Sequence, residues 1–150
     1  MLTWLRILCA VDFSTCSRAA LEHAAELARR FDARLSIVHV WKGPLALGPA
    51  LGVAPPALAA DDEVELGRRL DGWRAEAERL AGREVRATLA IGAAVAEVVR
   101  VAREEQVDLV VVGTHGHTGV KRAVLGSIAE GVVRHAACAV LVVREVLDED

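Results

Sequence analysis

Short apolar runs alternate along the chain with segments whose apolar residues recur at helical spacing. Arg6 to Val11 is brief, mostly apolar and bounded by Asp12-Phe13-Ser14, so it reads as a buried strand. Leu21, Ala24, Ala25 and Ala28 then form one face of a first helix, with Ser14 or Ser17 to cap it and Phe31 closing the face. Leu35 to Trp41, rich in β-branched and apolar residues, is the second strand, and Lys42-Gly43 turns out of it. A second helix starts near Asp61-Asp62-Glu63, carries the stripe Leu66, Leu70, Trp73, Ala77 and Leu80, and ends at Gly82. Val85, Ala87, Leu89 and Ile91 alternate with Arg86, Thr88 and Ala90, the period of a strand with one less buried face and so a candidate sheet edge. Val95, Val98, Val99 and Ala102 predict a third helix, Asp108 to Val112 a fully apolar strand, Ser127 to Ala136 a fourth helix, and Ala139 to Val143 a last strand.

Strict alternation of strands and helices implies parallel strands joined by right-handed crossovers. The expected fold is α/β: a single doubly wound domain over residues 1–150, Rossmann-like or flavodoxin-like. Its five-stranded parallel sheet has the order 3-2-1-4-5, with four helices on both faces. The run 43–61 reads as a Pro/Gly-rich loop, since Gly43 to Ala60 holds all four prolines and three glycines; 145–150 reads as an acidic tail.

Composition narrows the function. One domain of 150 residues can bury a sizeable core, here mainly aliphatic, because the chain has no Tyr, three Trp and two Phe. A net charge of -3 gives no strong attraction for nucleic acid or an anionic membrane, so neither is an expected partner. Cys9, Cys16 and Cys138 are too few and too scattered for a disulfide framework, which fits a reducing, cytoplasmic setting. No secretion signal and no continuous membrane helix are expected.

Ligands of open parallel sheets bind beyond the carboxyl ends of the strands, where the strand order reverses. Asp12, Trp41, Gly92 and Gly113 hold those positions. The stretch Gly113-Thr-His-Gly116-His117-Thr-Gly119-Val-Lys121-Arg122-Ala-Val-Leu-Gly126-Ser127 is the richest, leading straight into the fourth helix. Glycines let backbone amides approach an anion, a helix N-terminus offers unsatisfied N–H groups, and Ser127 adds a hydroxyl at the cap. Three or four charge-assisted contacts of about 1.5 to 3 kcal/mol each would support micromolar phosphate binding, about -8 kcal/mol after ordering costs. The competing reading makes Gly113 and Gly116 a tight turn and Gly126-Ser127 an ordinary cap. Neither G-x-G-x-x-G nor a Gly-Lys-Ser/Thr loop is present.

The spacing Gly113-x2-Gly116-x9-Gly126-Ser127, followed by Ile128-Ala-Glu130 and the closing Ala139 to Val143, resembles the ATP-binding type of universal stress protein. Ala10-Val-Asp12-Phe-Ser14, Ser17-Arg-Ala-Ala-Leu21 and Val38-His39-Val40 resemble the same family. The resemblance implies a cytoplasmic stress-response or signalling module that binds ATP, with Mg2+ as a companion ion, and hydrolyses it slowly at most. It implies that Asp12 holds the ribose hydroxyls beside Ala10, that Val40 meets the adenine, and that Gly113, Gly116, Gly126, Ser127 and Ile128 surround ribose and phosphates. A carboxylate suits vicinal hydroxyls rather than phosphates; the alternative for Asp12 is a turn or capping residue. Two departures stand out. His117 replaces a cationic residue common in the family, making one phosphate contact pH-dependent, and Ala137 and Ala139 flank Cys138 where prolines are common. The resemblance also implies a homodimer paired through Val140 to Val143, which removes an apolar sheet edge.

Other motifs carry less. His115, His117, His135 and Cys138 match no zinc spacing, His39 reads as a satisfied core histidine, and Cys9 reads as a buried hydrophobe. Cys16, read as a loop residue, is the cysteine to test for reactivity. Glu130 has no nucleophile to activate, and no G-x-S-x-G elbow is present. The apolar loop Gly43 to Ala60 is open to three readings: a lid, a partner surface or a variable connector. Two rivals remain, a flavin- or nucleotide-using enzyme and a ligand-free dimeric scaffold.

Overall fold

The computed structural model describes residues 3–42, 60–115 and 125–145. Along them run β1 (Arg6–Ala10), α1 (Thr15–Phe31), β2 (Arg34–Trp41), α2 (Ala60–Ala81), β3 (Val85–Ile91), α3 (Ala94–Glu104), β4 (Leu109–Gly113), α4 (Ser127–His135) and β5 (Ala139–Val143). The strands form one parallel sheet in the order β3-β2-β1-β4-β5, which agrees with the sequence expectation. Most of the loop 43–61 and of the tail 145–150 lie outside the described residues.

The two central strands explain the sheet's position. Ile7, Leu8 and Cys9 of β1 and Leu109 to Val112 of β4 are buried whichever way they point, because helices cover both faces. Each large aliphatic side chain so buried contributes about 1.5 to 3 kcal/mol of transfer free energy. On one face Ile7, Cys9, Ile37 and Val111 meet the alanine-rich side of α1 (Ala20, Leu21, Ala24, Ala25, Ala28) and the Leu70, Ala77 and Ala81 positions of α2. On the other, Leu8, Val38, Val110 and Val112 meet Val98, Val101 and Ala102 of α3 and Ala129 and Val132 of α4.

Several boundaries differ from expectation, each for a local reason. β1 stops at Ala10, although the Val11 N–H still donates to Val38 O at 2.9 Å. β4 starts at Leu109 because Asp108 turns its carboxylate back on the chain start, where Oδ2 accepts from the N–H groups of Leu5 (2.8 Å) and Arg6 (2.9 Å). α4 ends at His135, since Ala136 is extended. β3 is indeed an edge strand, but its alternation is imperfect: Ile91 is 54% exposed while Ala90 is buried, because Ile91 is the strand's last residue. Leu66 is only half-buried; α2 buries Leu70, Ala77 and Ala81 instead.

Candidate functional site

From β1 the chain moves outward to β2 and β3, then returns to β4 on the other side of β1. The order therefore reverses between β1 and β4, which pair through Ile7–Leu109, Leu8–Val110 and Cys9–Val111. Asp12 lies two residues beyond β1 and Gly113 ends β4, so both fall at the carboxyl mouth of this switch point.

Four hydrogen bonds build the turn that carries Asp12. Its N–H donates to Ser17 Oγ (3.2 Å), and its Oδ1 accepts from the Ser14 N–H (2.9 Å). Ser14 Oγ accepts from the Ser17 N–H (3.1 Å), capping α1, and Ser17 Oγ donates to Ser14 O (3.1 Å). Ser14, not Ser17, is thus the cap. One oxygen of the half-buried Asp12 carboxylate serves the turn; Oδ2 has no hydrogen-bond partner among the described residues. The turn role weighed for Asp12 is real, and it commits one of the two carboxylate oxygens.

The first turn of α1 and the start of α4 are locked to the ends of β4 and β5. Thr114, which is buried, donates its N–H to Val143 O (3.0 Å) and accepts at its carbonyl from the Gly126 N–H (2.7 Å). Its Oγ1 lies 3.4 Å from Cys16 Sγ, which also lies 3.7 Å from Val143 O. Cys16 is therefore a buried residue of the first turn of α1 rather than a loop thiol, which corrects the expectation of reactivity. Both flanking glycines are demanded by these contacts. A Cβ on Gly113 would sit 2.8 Å from Cys16 Sγ, and one on Gly126 would sit 2.4 Å from Thr114 O. Of the competing reading, the cap role of Gly126 is present, whereas Gly113 ends β4 and is held by packing against Cys16.

Gly126 is the N-cap of α4, and Ser127 is its first helical residue, exposed; the expectation of a capping Ser127 hydroxyl is corrected. The first intrahelical bond runs from the Glu130 N–H to Gly126 O (2.9 Å). The N–H groups of Ser127, Ile128 and Ala129 precede it and receive no side-chain cap from a described residue. Beside them, Ala10, Val40, Leu125 and Ile128 are partly buried and pack on one cluster, on the α3/α4 side of the sheet. Ala10, Asp12, Val40 and Gly113 thus lie at or near the carboxyl ends of β1, β2 and β4, and Gly126, just before Ser127 and Ile128, is tied to the end of β4 through Thr114. Gly116 and His117 lie outside the described residues, as do Lys121 and Arg122.

A second cluster supports the Asp12 turn from the α2 side. Phe13 has φ 65°, a left-handed backbone that an aromatic residue adopts only under tertiary constraint. Its ring lies 4.4 Å from the His39 ring, 5.5 Å edge-on from Trp73, and under the Arg69 guanidinium at 4.4 Å. His39 is held below the usual imidazole range chiefly by burial, and Arg69 adds to this; its bond to the Val11 carbonyl and nearby Asp12 oppose. Because a carbonyl only accepts, His39 Nδ1 carries the proton of the 2.8 Å bond to Val11 O. Of the expected satisfied core histidine the hydrogen bond is present, but the ring is only half-buried. Cys9 fits its reading: complete burial pushes its thiol far up. Glu130 pairs with Arg134 at 2.9 Å on the surface of α4. Phe13, Arg69 and Thr114 escaped the sequence reading; an aromatic residue directly after a strand-end aspartate was the one available signal.

The universal stress protein family matches residues 3–144. A putative universal stress protein of Staphylococcus haemolyticus is 35% identical over 152 residues, covering 100% of this chain and 91% of the relative. Among solved structures, the universal stress protein UspA from Lactobacillus plantarum superposes with a TM-score of 0.80 at 27% identity, covering 96% of this chain and all of that one. Two more distant structures share the fold. A universal stress protein in complex with cAMP has a TM-score of 0.72 at 22% identity, covering 95% of this chain and 98% of the other. The Archaeoglobus fulgidus protein in complex with dAMP has a TM-score of 0.69 at 21% identity, covering 95% and 99%.

Proposed function

The chain belongs to the universal stress protein family, and from that premise we propose that it binds an adenine nucleotide, ATP, at the mouth between β1 and β4. One observation carries the reading: among the described residues the first amides of α4 receive no side-chain cap, and Thr114 ties the start of α4 to the first turn of α1, next to the half-committed Asp12 carboxylate. Ribose hydroxyls go to Asp12, adenine to the apolar patch of Ala10 and Val40, and phosphates to Gly113 and the Ser127 and Ile128 amides. Gly116, His117 and Gly126 complete the proposed set. Helix-terminal donors favour phosphate by charge-assisted bonds of about 1.5 to 3 kcal/mol each. The cAMP and dAMP bound by the two distant relatives are adenine nucleotides too, which supports the same ligand class here.

In this reading the single domain works in the cytoplasm as a stress-response module, and nucleotide occupancy changes its conformation or partners. Mg2+ accompanies the phosphates, and turnover is slow at most. Among the described residues no helix is long and apolar enough to cross a membrane. The edge position of β5, with Val140, Leu141 and Val142 only partly buried, supports a homodimer paired along this strand. A nucleotide-free scaffold is the second reading, favoured by the fact that protein contacts alone require Gly113 and Gly126. Denaturing freshly purified protein and identifying released molecules by mass spectrometry, followed by calorimetry of the emptied protein with ATP, separates the two. An adenine nucleotide, or ATP binding near micromolar (about -8 kcal/mol), is expected. The absence of both leaves only the scaffold.

A further inference from the structure

At the opposite end of the sheet, the first residues of β1, β2 and β3 and the last turns of α3 enclose a cleft of about 340 Å³. Its walls include Arg6, Arg34, Ser36, Arg86, Arg100 and Glu105. Strand register puts Arg6 beside Arg34, and Ser36 beside both Leu8 and Arg86. Residues two apart share a face, so these arginines stand on the side covered by α3. Like charges side by side on neighbouring strands are destabilising, and here they occur in a chain of net charge -3.

The cations are unequally committed. Arg100 is held by Glu97 and Glu104 at 2.6 and 2.9 Å. Arg6 donates to Glu105 O (3.4 Å) and Gln106 Oε1 (3.2 Å), so it covers the carbonyl end of α3, which would otherwise repel an anion. The Glu105 carboxylate is fixed by Ser36 Oγ at 2.6 Å and is the only ion-pair partner of Arg86 among the described residues, at 3.6 Å. With 76% of its side chain exposed, Arg86 gains little from that pair and can turn to another anion. Arg34 makes no side-chain hydrogen bond or ion pair with a described residue, while its neighbours do. Four guanidinium groups against the carboxylates of Glu104 and Glu105 leave the lining net positive.

We propose that this cleft is a second ligand site, which binds the phosphate of a small phosphorylated metabolite through Arg34 and Arg86. A planar guanidinium takes two phosphate oxygens at once, and relief of the Arg6–Arg34 repulsion adds to the gain. The volume lies at the small end of the roughly 300 to 1,000 Å³ usual for small-molecule sites, which suits a phosphate on a short organic body. The proposal does not depend on nucleotide binding at the other end of the sheet.

Titrating inorganic phosphate into the full chain at low salt, and following backbone amides and arginine side-chain N–H signals by NMR, tests it. Saturable shifts at Arg34, Ser36 and Arg86 with a Kd of about 1 mM are expected. Arg34→Glu should weaken them roughly tenfold or more without lowering the melting temperature, because no protein partner is lost and the Arg6–Arg34 repulsion is relieved. Shifts equal in Arg34→Glu and the parent chain, shifts reproduced by sodium chloride of matched ionic strength, or shifts confined to residues 113–128 would each overturn it. Resolution by residue keeps a failure here distinct from a failure of the nucleotide reading.

Discussion

Helix α1 opens with Ser14, whose hydroxyl accepts the Ser17 N–H, while α4 opens with Gly126, which has no side chain to offer its first amides. Both helix starts are tied to Thr114, through Cys16 in one case and the Gly126 N–H in the other. The first N-terminus satisfies itself, and its hydrogen bonds hold Asp12 in place. The second is fixed by its backbone, yet the Ser127, Ile128 and Ala129 amides receive no side-chain cap from a described residue. In the proposed function, two positive helix ends tied to one residue divide the work, one serving structure and the other the ligand.

Four changes probe this division, beginning with the largest. Gly126→Ala should cost about 2 to 3 kcal/mol in urea unfolding, since its Cβ would meet Thr114 O at 2.4 Å while the φ of -61° suits any residue. An unaffected midpoint would mean that the α4 start is not locked. Asp12→Asn keeps an acceptor for the Ser14 N–H, so stability should hold while ATP affinity in calorimetry falls roughly 10- to 100-fold. Ser14→Ala should do the reverse, costing about 1 kcal/mol of stability and changing ATP affinity less than about twofold. The smallest effect concerns the support behind Asp12. His39 is depressed from 6.5 in the folded state, so the unfolded chain binds the proton more readily. Its contribution is fully present above pH 6.5 and is lost as pH falls towards the folded value. Unfolding curves across this window should show stability declining with acidity, with a shallower slope in His39→Gln.

How much of this was legible in the sequence depended on distance along the chain. The apolar runs of β1 and β4 and the alanine spacing of α1 are local signals, and they yielded the parallel sheet and its switch point. Asp12 and Gly113 followed, because strand ends are where such sheets bind. Cys16 was misread because nothing local says that Gly113, almost a hundred residues away, vacates the space its sulfur fills. The cap of α4 was misplaced because serine normally outcompetes glycine there, and only the Thr114 carbonyl reverses that preference. The Arg69–Phe13–His39 stack joins α2, the Asp12 turn and β2 and has no periodic trace.

The division of roles between the two helix starts is tested most directly by titrating ATP into the isotope-labelled chain and reading its backbone amides. The account predicts saturable shifts at Gly113, Ser127 and Ile128, with the Ser17 amide, held by Ser14, among the least affected in the crevice. No saturable shift at the α4 amides, or shifts centred on the start of α1 instead, would contradict it.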